Sequence, residues 1–201
     1  MKVLVIGDSY GLPRYAKNSF NVELDYAGTY PEQLRRMLSA NFTEDVCLVN
    51  RLGLSLIKGE ANEIEFLRPD YTVLQLGLVD LWPAEGRKIW PLYSEQYGRD
   101  PWVTPDEYKN NLQLFLNFAK SRGSKVIVIN NPPVEKVHLL KHAGLEKKIV
   151  LYNNLLTRLT LGKSVNLLDW YDRIKSLDGK CIFGSDGIHP TREAANLLAR
   201  L

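Results

Sequence analysis

The chain has 201 residues, enough for one substantial core and too few for a second. Hydrophobic residues make up 45% and charged ones 24% of it, and the formal net charge is only +3, with basic and acidic residues interleaved. That composition argues against a nucleic-acid partner, which would need a basic stripe, and no stretch approaches the roughly 20 apolar residues of a membrane-spanning helix.

The first element is an apolar run, Val3-Leu4-Val5-Ile6, whose lack of alternation predicts a strand buried on both faces. It leads into Gly7-Asp8-Ser9, so a serine sits in the turn at the strand's carboxyl end, where open α/β sheets place their ligands. Asp8 reads as a turn-stabilising carboxylate. The opening lysine and about five apolar residues are too short for the core of a signal peptide, which sets the expectation of a cytoplasmic protein. Pro31 to Ala40 carries Leu34, Met37 and Leu38 at helical spacing, and Val46–Val49 is the second strand. Cys47 and Cys181 each lie in or beside apolar stretches; buried free thiols are the blander reading, with a disulfide as the alternative.

Tyr71–Leu76 is the third strand, followed by Gly77-Leu78-Val79-Asp80. From Leu81 to Val103 the periodicity is lost, yet Trp82, Trp90, Tyr93, Tyr97 and Trp102 fall within the stretch. A loop this long in a compact domain is usually functional or disordered, and the aromatic content argues against disorder. Its rings either bury the loop against the sheet edge or wall a sugar site, with Trp82 and Trp90 the candidates. Arg87, Lys88 and Arg99 read as solvated loop charges, with an acidic sugar or phosphate as the alternative.

Thr104-Pro105-Asp106-Glu107 opens a helix with a capping threonine and a proline at the first position. Tyr108, Leu112, Phe115, Leu116 and Ala119 mark its apolar face, and Gly123 ends it. Lys125–Asn130 is the fourth strand. His138 and His142 have zinc-ligand spacing, but no third ligand is apparent, so they read as solvated surface histidines and no metal is expected. Leu145 to Leu161 is a helix ended by Gly162, and Val165–Leu168 is the fifth strand. Asp186-Gly187-Ile188-His189-Pro190 precedes a last helix, Pro190 to Leu201, with Pro190 in its first turn.

Strands alternating with helices predict an α/β protein, a three-layer α/β/α sandwich on a five-stranded parallel sheet, in one domain over residues 1–201. Neither Gly-x-Gly-x-x-Gly nor a phosphate-binding Gly-x-x-x-x-Gly-Lys loop occurs, so no cofactor is expected.

Ser9, His189 and Asp186 are the three side chains an acyl-transfer triad needs. A serine hydroxyl is a poor nucleophile until a base takes its proton, and that base must be held in one tautomer. His189 is the candidate base, Asp186 its partner, and the N–H of Ser9 a candidate oxyanion donor. The bland alternative is a strand-to-helix turn with a capping serine, and a second turn before a helix.

These residues resemble the SGNH (GDSL-type) hydrolase family over nearly the whole chain. Its first block matches Val3–Ser9 with Tyr10-Gly11, its last block matches Asp186 to Pro190, and Arg68-Pro69-Asp70-Tyr71 looks like its usual entry to the third strand. The resemblance implies a flavodoxin-like sandwich and esterase, lipase, thioesterase or carbohydrate O-deacetylase chemistry, with Ser9 as nucleophile, His189 as base and Asp186 as its orienting partner. Two departures stand out. The second block's oxyanion glycine falls on Ser55, with Gly53 two residues earlier; a backbone donor survives that change. The third block, normally Gly-x-Asn-Asp, reads Gly77-Leu78-Val79-Asp80, and valine cannot supply the side-chain donor. This variant resembles an SGNH-like subgroup associated with bacterial surface-polysaccharide clusters. The expectation is a cofactor-independent esterase acting on an O-acyl, chiefly O-acetyl, group of a carbohydrate or related small molecule. An acyltransferase or thioesterase with the same triad, and a degenerate member that binds glycan or a partner, remain the alternatives.

Overall fold

The computed structural model describes residues 1–15, 21–39, 45–50, 64, 67–82, 103–177 and 182–201. Among them are the strands β1 (Lys2–Gly7), β2 (Arg14–Tyr15), β3 (Val22–Leu24), β4 (Asp45–Asn50), β5 (Tyr71–Gln75), β6 (Lys125–Ile129) and β7 (Val165–Leu168). The helices are α1 (Tyr30–Ser39), α2 (Leu78–Leu81), α3 (Pro105–Ser121), α4 (Lys136–Lys141), α5 (Leu145–Thr160), α6 (Trp170–Lys175) and α7 (Arg192–Arg200). The five expected apolar runs form one parallel sheet in the order β4-β1-β5-β6-β7. β2 and β3 pair antiparallel outside it.

Helices cover both faces of the sheet, which is why the strands read as unbroken apolar runs. Leu4 and Ile6 of β1 face one core with Leu74, Val126 and Val128, closed by Tyr108, Leu112 and Phe115 of α3 and Ile149, Tyr152 and Leu156 of α5. Val3 and Val5 face the other, with Val73, Tyr10, Tyr30, Trp170 and the small face of α7, Ala194, Ala195 and Leu198. Burying each large side chain contributes about 1.5–3 kcal/mol, so these stripes outweigh the weak propensity of any single helix.

α3 begins as expected: the Thr104 hydroxyl accepts from the Glu107 N–H at 3.1 Å, and Pro105 takes the first helical position. The last helix departs from expectation. α7 starts at Arg192 and is capped by Thr191, whose hydroxyl accepts from the Ala194 N–H at 3.3 Å. A threonine can satisfy an orphan N–H and a proline cannot, so the cap falls one residue later than Pro190. Pro190 instead bridges to Phe183 in extended backbone. That places the preceding turn against β2 and β3 rather than inside a helix.

Candidate active site

The carboxyl ends of β1, β4 and β5 meet at one sheet edge, with Gly7 in register with Asn50 on one side and Gln75 on the other. Past that edge the Asp8 N–H donates to the Gln75 carbonyl at 3.3 Å. The Asp8 carboxylate caps the tight turn Ser9–Gly11 by accepting from the Tyr10 N–H at 2.9 Å. Asp8 is therefore the turn's internal brace, as its position in the sequence suggests. Tyr10 is buried, its hydroxyl accepting from Trp170 Nε1 at 2.9 Å, while Ser9 faces solvent.

The second half of the site comes from the turn before α7. His189 Nε2 lies 2.8 Å from Ser9 Oγ, and His189 Nδ1 lies 2.6 Å from Asp186 Oδ2. A carboxylate only accepts, so Nδ1 carries the proton and Nε2 turns its lone pair to the serine hydroxyl. The other Asp186 oxygen accepts from the N–H groups of Ile188 and His189, each at 3.0 Å.

The carbonyls of this turn are held from several sides. His138 Nε2 donates to Asp186 O at 2.6 Å, the Glu135 N–H to Gly187 O at 2.9 Å, the Gly184 N–H to His189 O at 2.9 Å, and Arg14 Nη2 to Pro190 O at 3.0 Å. Hydroxyl, imidazole and carboxylate thus stand in one hydrogen-bonded line on a braced turn. Such a line can draw a proton from the hydroxyl and hold the resulting imidazolium against a fixed negative charge.

Electrostatics separate the two carboxylates. Burial raises the Asp186 pKa, but the hydrogen bonds from the His189 ring and backbone, the nearby His189 charge and the Ile188 N–H outweigh it and hold the group well below the usual carboxylate range. Asp186 therefore stays ionised through the neutral range. Asp8 is pushed up to about 6, because burial outweighs its bonds to the Tyr10 N–H and the Gln75 side chain. It is 3% exposed.

A cleft of about 210 Å³ opens over Ser9 and His189, walled by Tyr10, Val79, Trp82 and Ile188. Val79 is half-buried and lines it, so an apolar side chain stands at the position where the resemblance implies an amide. Asp80 is buried behind the cleft. Gly77 holds φ at 143°, and a Cβ there would come within 2.5 Å of Asn131 Oδ1 and 2.7 Å of the Tyr108 hydroxyl, so the turn into α2 requires glycine.

His138 and His142 are not solvated surface residues. Both are half-buried with edge-on contacts to the Trp82 ring, at centroid separations of 5.5 and 5.6 Å, and His138 holds the Asp186 carbonyl. Their spacing puts both on the side of the short segment 138–142 that meets the tryptophan. Trp82 is 8% exposed and joins the cleft wall. Gly53, Ser55 and Trp90, and with them residues 83–102 of the aromatic stretch, lie outside the described residues, as does Cys181.

Sequence reasoning passed over Arg14, Glu23, Glu135 and the role of His138. Their partners are distant in the chain, and no short motif announces them. A larger cleft, about 410 Å³, lies at the opposite end of the strands, where β6 and β7 begin, far from the hydroxyl–imidazole pair. Among the described residues, no group of three or more His, Cys, Asp or Glu side chains could hold a metal ion.

No protein-family model and no curated protein matches this sequence. Solved structures do resemble it. A catalytic mutant of Axe2, an acetylxylan esterase from Geobacillus stearothermophilus, superposes with a TM-score of 0.71 at 18% identity, over 99% of this chain and 90% of that one. LAE5, an alpha/beta hydrolase enzyme from the metagenome of Lake Arreo, Spain, gives 0.69 at 20% identity over 98% and 91%. The lipase/acylhydrolase from Enterococcus faecalis gives 0.69 at 17% identity over 99% and 91%. At these identities the likeness is one of fold, and it extends over almost the full length of each chain.

Proposed function

We propose that the chain is a serine ester hydrolase of the SGNH type that removes an O-acyl group, chiefly O-acetyl, from a carbohydrate or polysaccharide precursor. The observation that carries this reading is the continuous contact from Ser9 Oγ through the His189 ring to Asp186. Ser9 Oγ bonds to the ester carbonyl carbon as its proton passes to His189 Nε2, and the carbonyl oxygen becomes the oxyanion. The N–H groups of Ser9 and Ser55 are its donors in this reading. The C–O bond to the alcohol then breaks, the leaving oxygen takes the proton from Nε2, and an acyl-serine remains. Water attacks that ester by the same route and regenerates Ser9 with release of the carboxylic acid. Asp186, ionised throughout, holds the imidazolium in place.

A cleft of about 210 Å³ suits a short acyl group better than a long chain, and Trp82 forms part of its wall. The acetylxylan esterase among the structural relatives accords with this choice. The absence of a side-chain donor at Val79 favours a second reading, a binding module built on the same fold. Titration with a serine-directed phosphonate separates the two. One label per chain, lost in Ser9→Ala, and release of acetate from acetylated sugars are the expected results. No labelling of either protein overturns the hydrolase reading in favour of the binding module.

A further inference from the structure

β2 and β3 belong to no layer of the sandwich, yet they meet the turn that carries Asp186 and His189. Arg14 of β2 and Glu23 of β3 pair at 3.2 Å across that ribbon, with side chains 12% and 21% exposed. Each then reaches a different end of the turn. Glu23 accepts from the N–H of Ser185 and from its hydroxyl, the latter at 3.1 Å. Arg14 Nη2 donates to Pro190 O at 3.0 Å, and Arg14 Nε lies 3.8 Å from Asp186 Oδ2. Asp186 and His189 sit between these two anchor points. Gly184 marks how closely the parts fit: a Cβ there would overlap Arg14 Nη2 and come within 2.6 Å of Glu23 Oε1.

Energetics point the same way. Among the described residues, Arg14 Nη1 is buried without a hydrogen-bond partner, an arrangement that costs stability. A hydrophobic contact would tie two surface strands to a turn more cheaply. What the ion pair adds is direction, because a planar guanidinium and a carboxylate fix the angles of the groups they bind.

We propose that Arg14 and Glu23 are positioning residues for the reaction: a two-stranded clamp that sets the placement of Asp186 and His189 relative to Ser9. The inference rests on the triad reading for its effect on rate, and on geometry alone for its effect on the turn. Misplacement of a reacting group by about 1 Å can cost 10²-fold. Arg14→Ala is therefore expected to lower kcat by about 10- to 100-fold with KM within about twofold, since neither residue lines the cleft.

The test uses the full chain and four variants, Arg14→Ala, Arg14→Lys, Glu23→Ala and the double Arg14→Ala/Glu23→Ala, assayed on p-nitrophenyl acetate. Added guanidinium ion at tens of millimolar should restore kcat several-fold in Arg14→Ala and leave the parent unchanged, a response that a merely structural role would not give. Arg14→Lys, which keeps the charge but loses the fork, should fall between. The double alanine variant should be little worse than the worse single one, because the two act as a unit. Hydrogen exchange read on the peptide spanning 184–191 should quicken in both alanine variants, and this arm needs no activity. An unchanged kcat overturns the proposal, as does a loss that is unrescued and additive, or exchange that stays as in the parent. If Ser9→Ala keeps the parent's activity, the hydrolase reading falls instead, and the exchange arm still decides whether the clamp holds the turn.

Discussion

Asp8 carries a stability cost that can be measured apart from any activity. Burial pushes its carboxyl up to about 6 from an ordinary value of 3.8. Between those pH values the folded chain keeps the proton and the unfolded chain has lost it, so stability falls as pH rises through that window. At about 1.4 kcal/mol per pH unit the loss sums to about 3 kcal/mol, nearly complete by pH 7. Asp8→Asn has almost the same shape, keeps an oxygen to accept from the Tyr10 N–H, and never ionises. Urea unfolding at pH 4, 5, 6 and 7 should show the variant gaining on the parent by about 2 kcal/mol between pH 4 and 6.5, with little further gain above. Asp186 titrates in both proteins and cancels. A difference that is flat with pH would refute the reasoning, because any change in packing or hydrogen bonding made by the new amide is independent of pH. The same substitution removes a negative charge that faces His189, so a loss of rate should accompany the gain in stability.

Asp186→Asn should lower kcat by about three to four orders of magnitude with little change in fold. Its oxygen can still accept from the Ile188 and His189 N–H groups, but its NH₂ then meets His189 Nδ1 and imposes the wrong tautomer; steady-state kinetics beside circular dichroism would check this. Val79→Asn brings a donor to the cleft wall, and on the hydrolase reading kcat should rise, by up to about 10²-fold if the amide reaches the oxyanion. No gain on p-nitrophenyl acetate would mean another group already fills that role. Gly77→Ala should destabilise by at least about 2 kcal/mol in thermal or urea unfolding, since an L side chain at φ 143° would also strike Asn131 and Tyr108.

The chain's own pattern determined the layered architecture. Runs such as Val3–Ile6 and Tyr71–Leu76 are apolar without alternation, and only a strand covered on both faces makes physical use of that pattern. Thr104-Pro105 and the stripe from Tyr108 to Ala119 likewise specify α3, because capping and helical periodicity are local properties. The pairing of Ser9 with His189 was legible too, though only through two short blocks that sequence separates by 180 positions.

Tertiary structure alone decided what surrounds them. Nothing local in Arg14, Glu23 or His138 marks them as supports of the turn at 184–190, because a hydrogen bond to a distant carbonyl leaves no periodicity and no spacing. The two histidines read as surface residues for the same reason: a four-residue interval shows which way two side chains point, and the identity of the ring they meet, Trp82, depends on how the whole sheet edge closes. Burial makes the same distinction at Asp8. Its place in a turn follows from its neighbours, whereas its raised pKa comes from burial away from water, which only the folded chain can bring about.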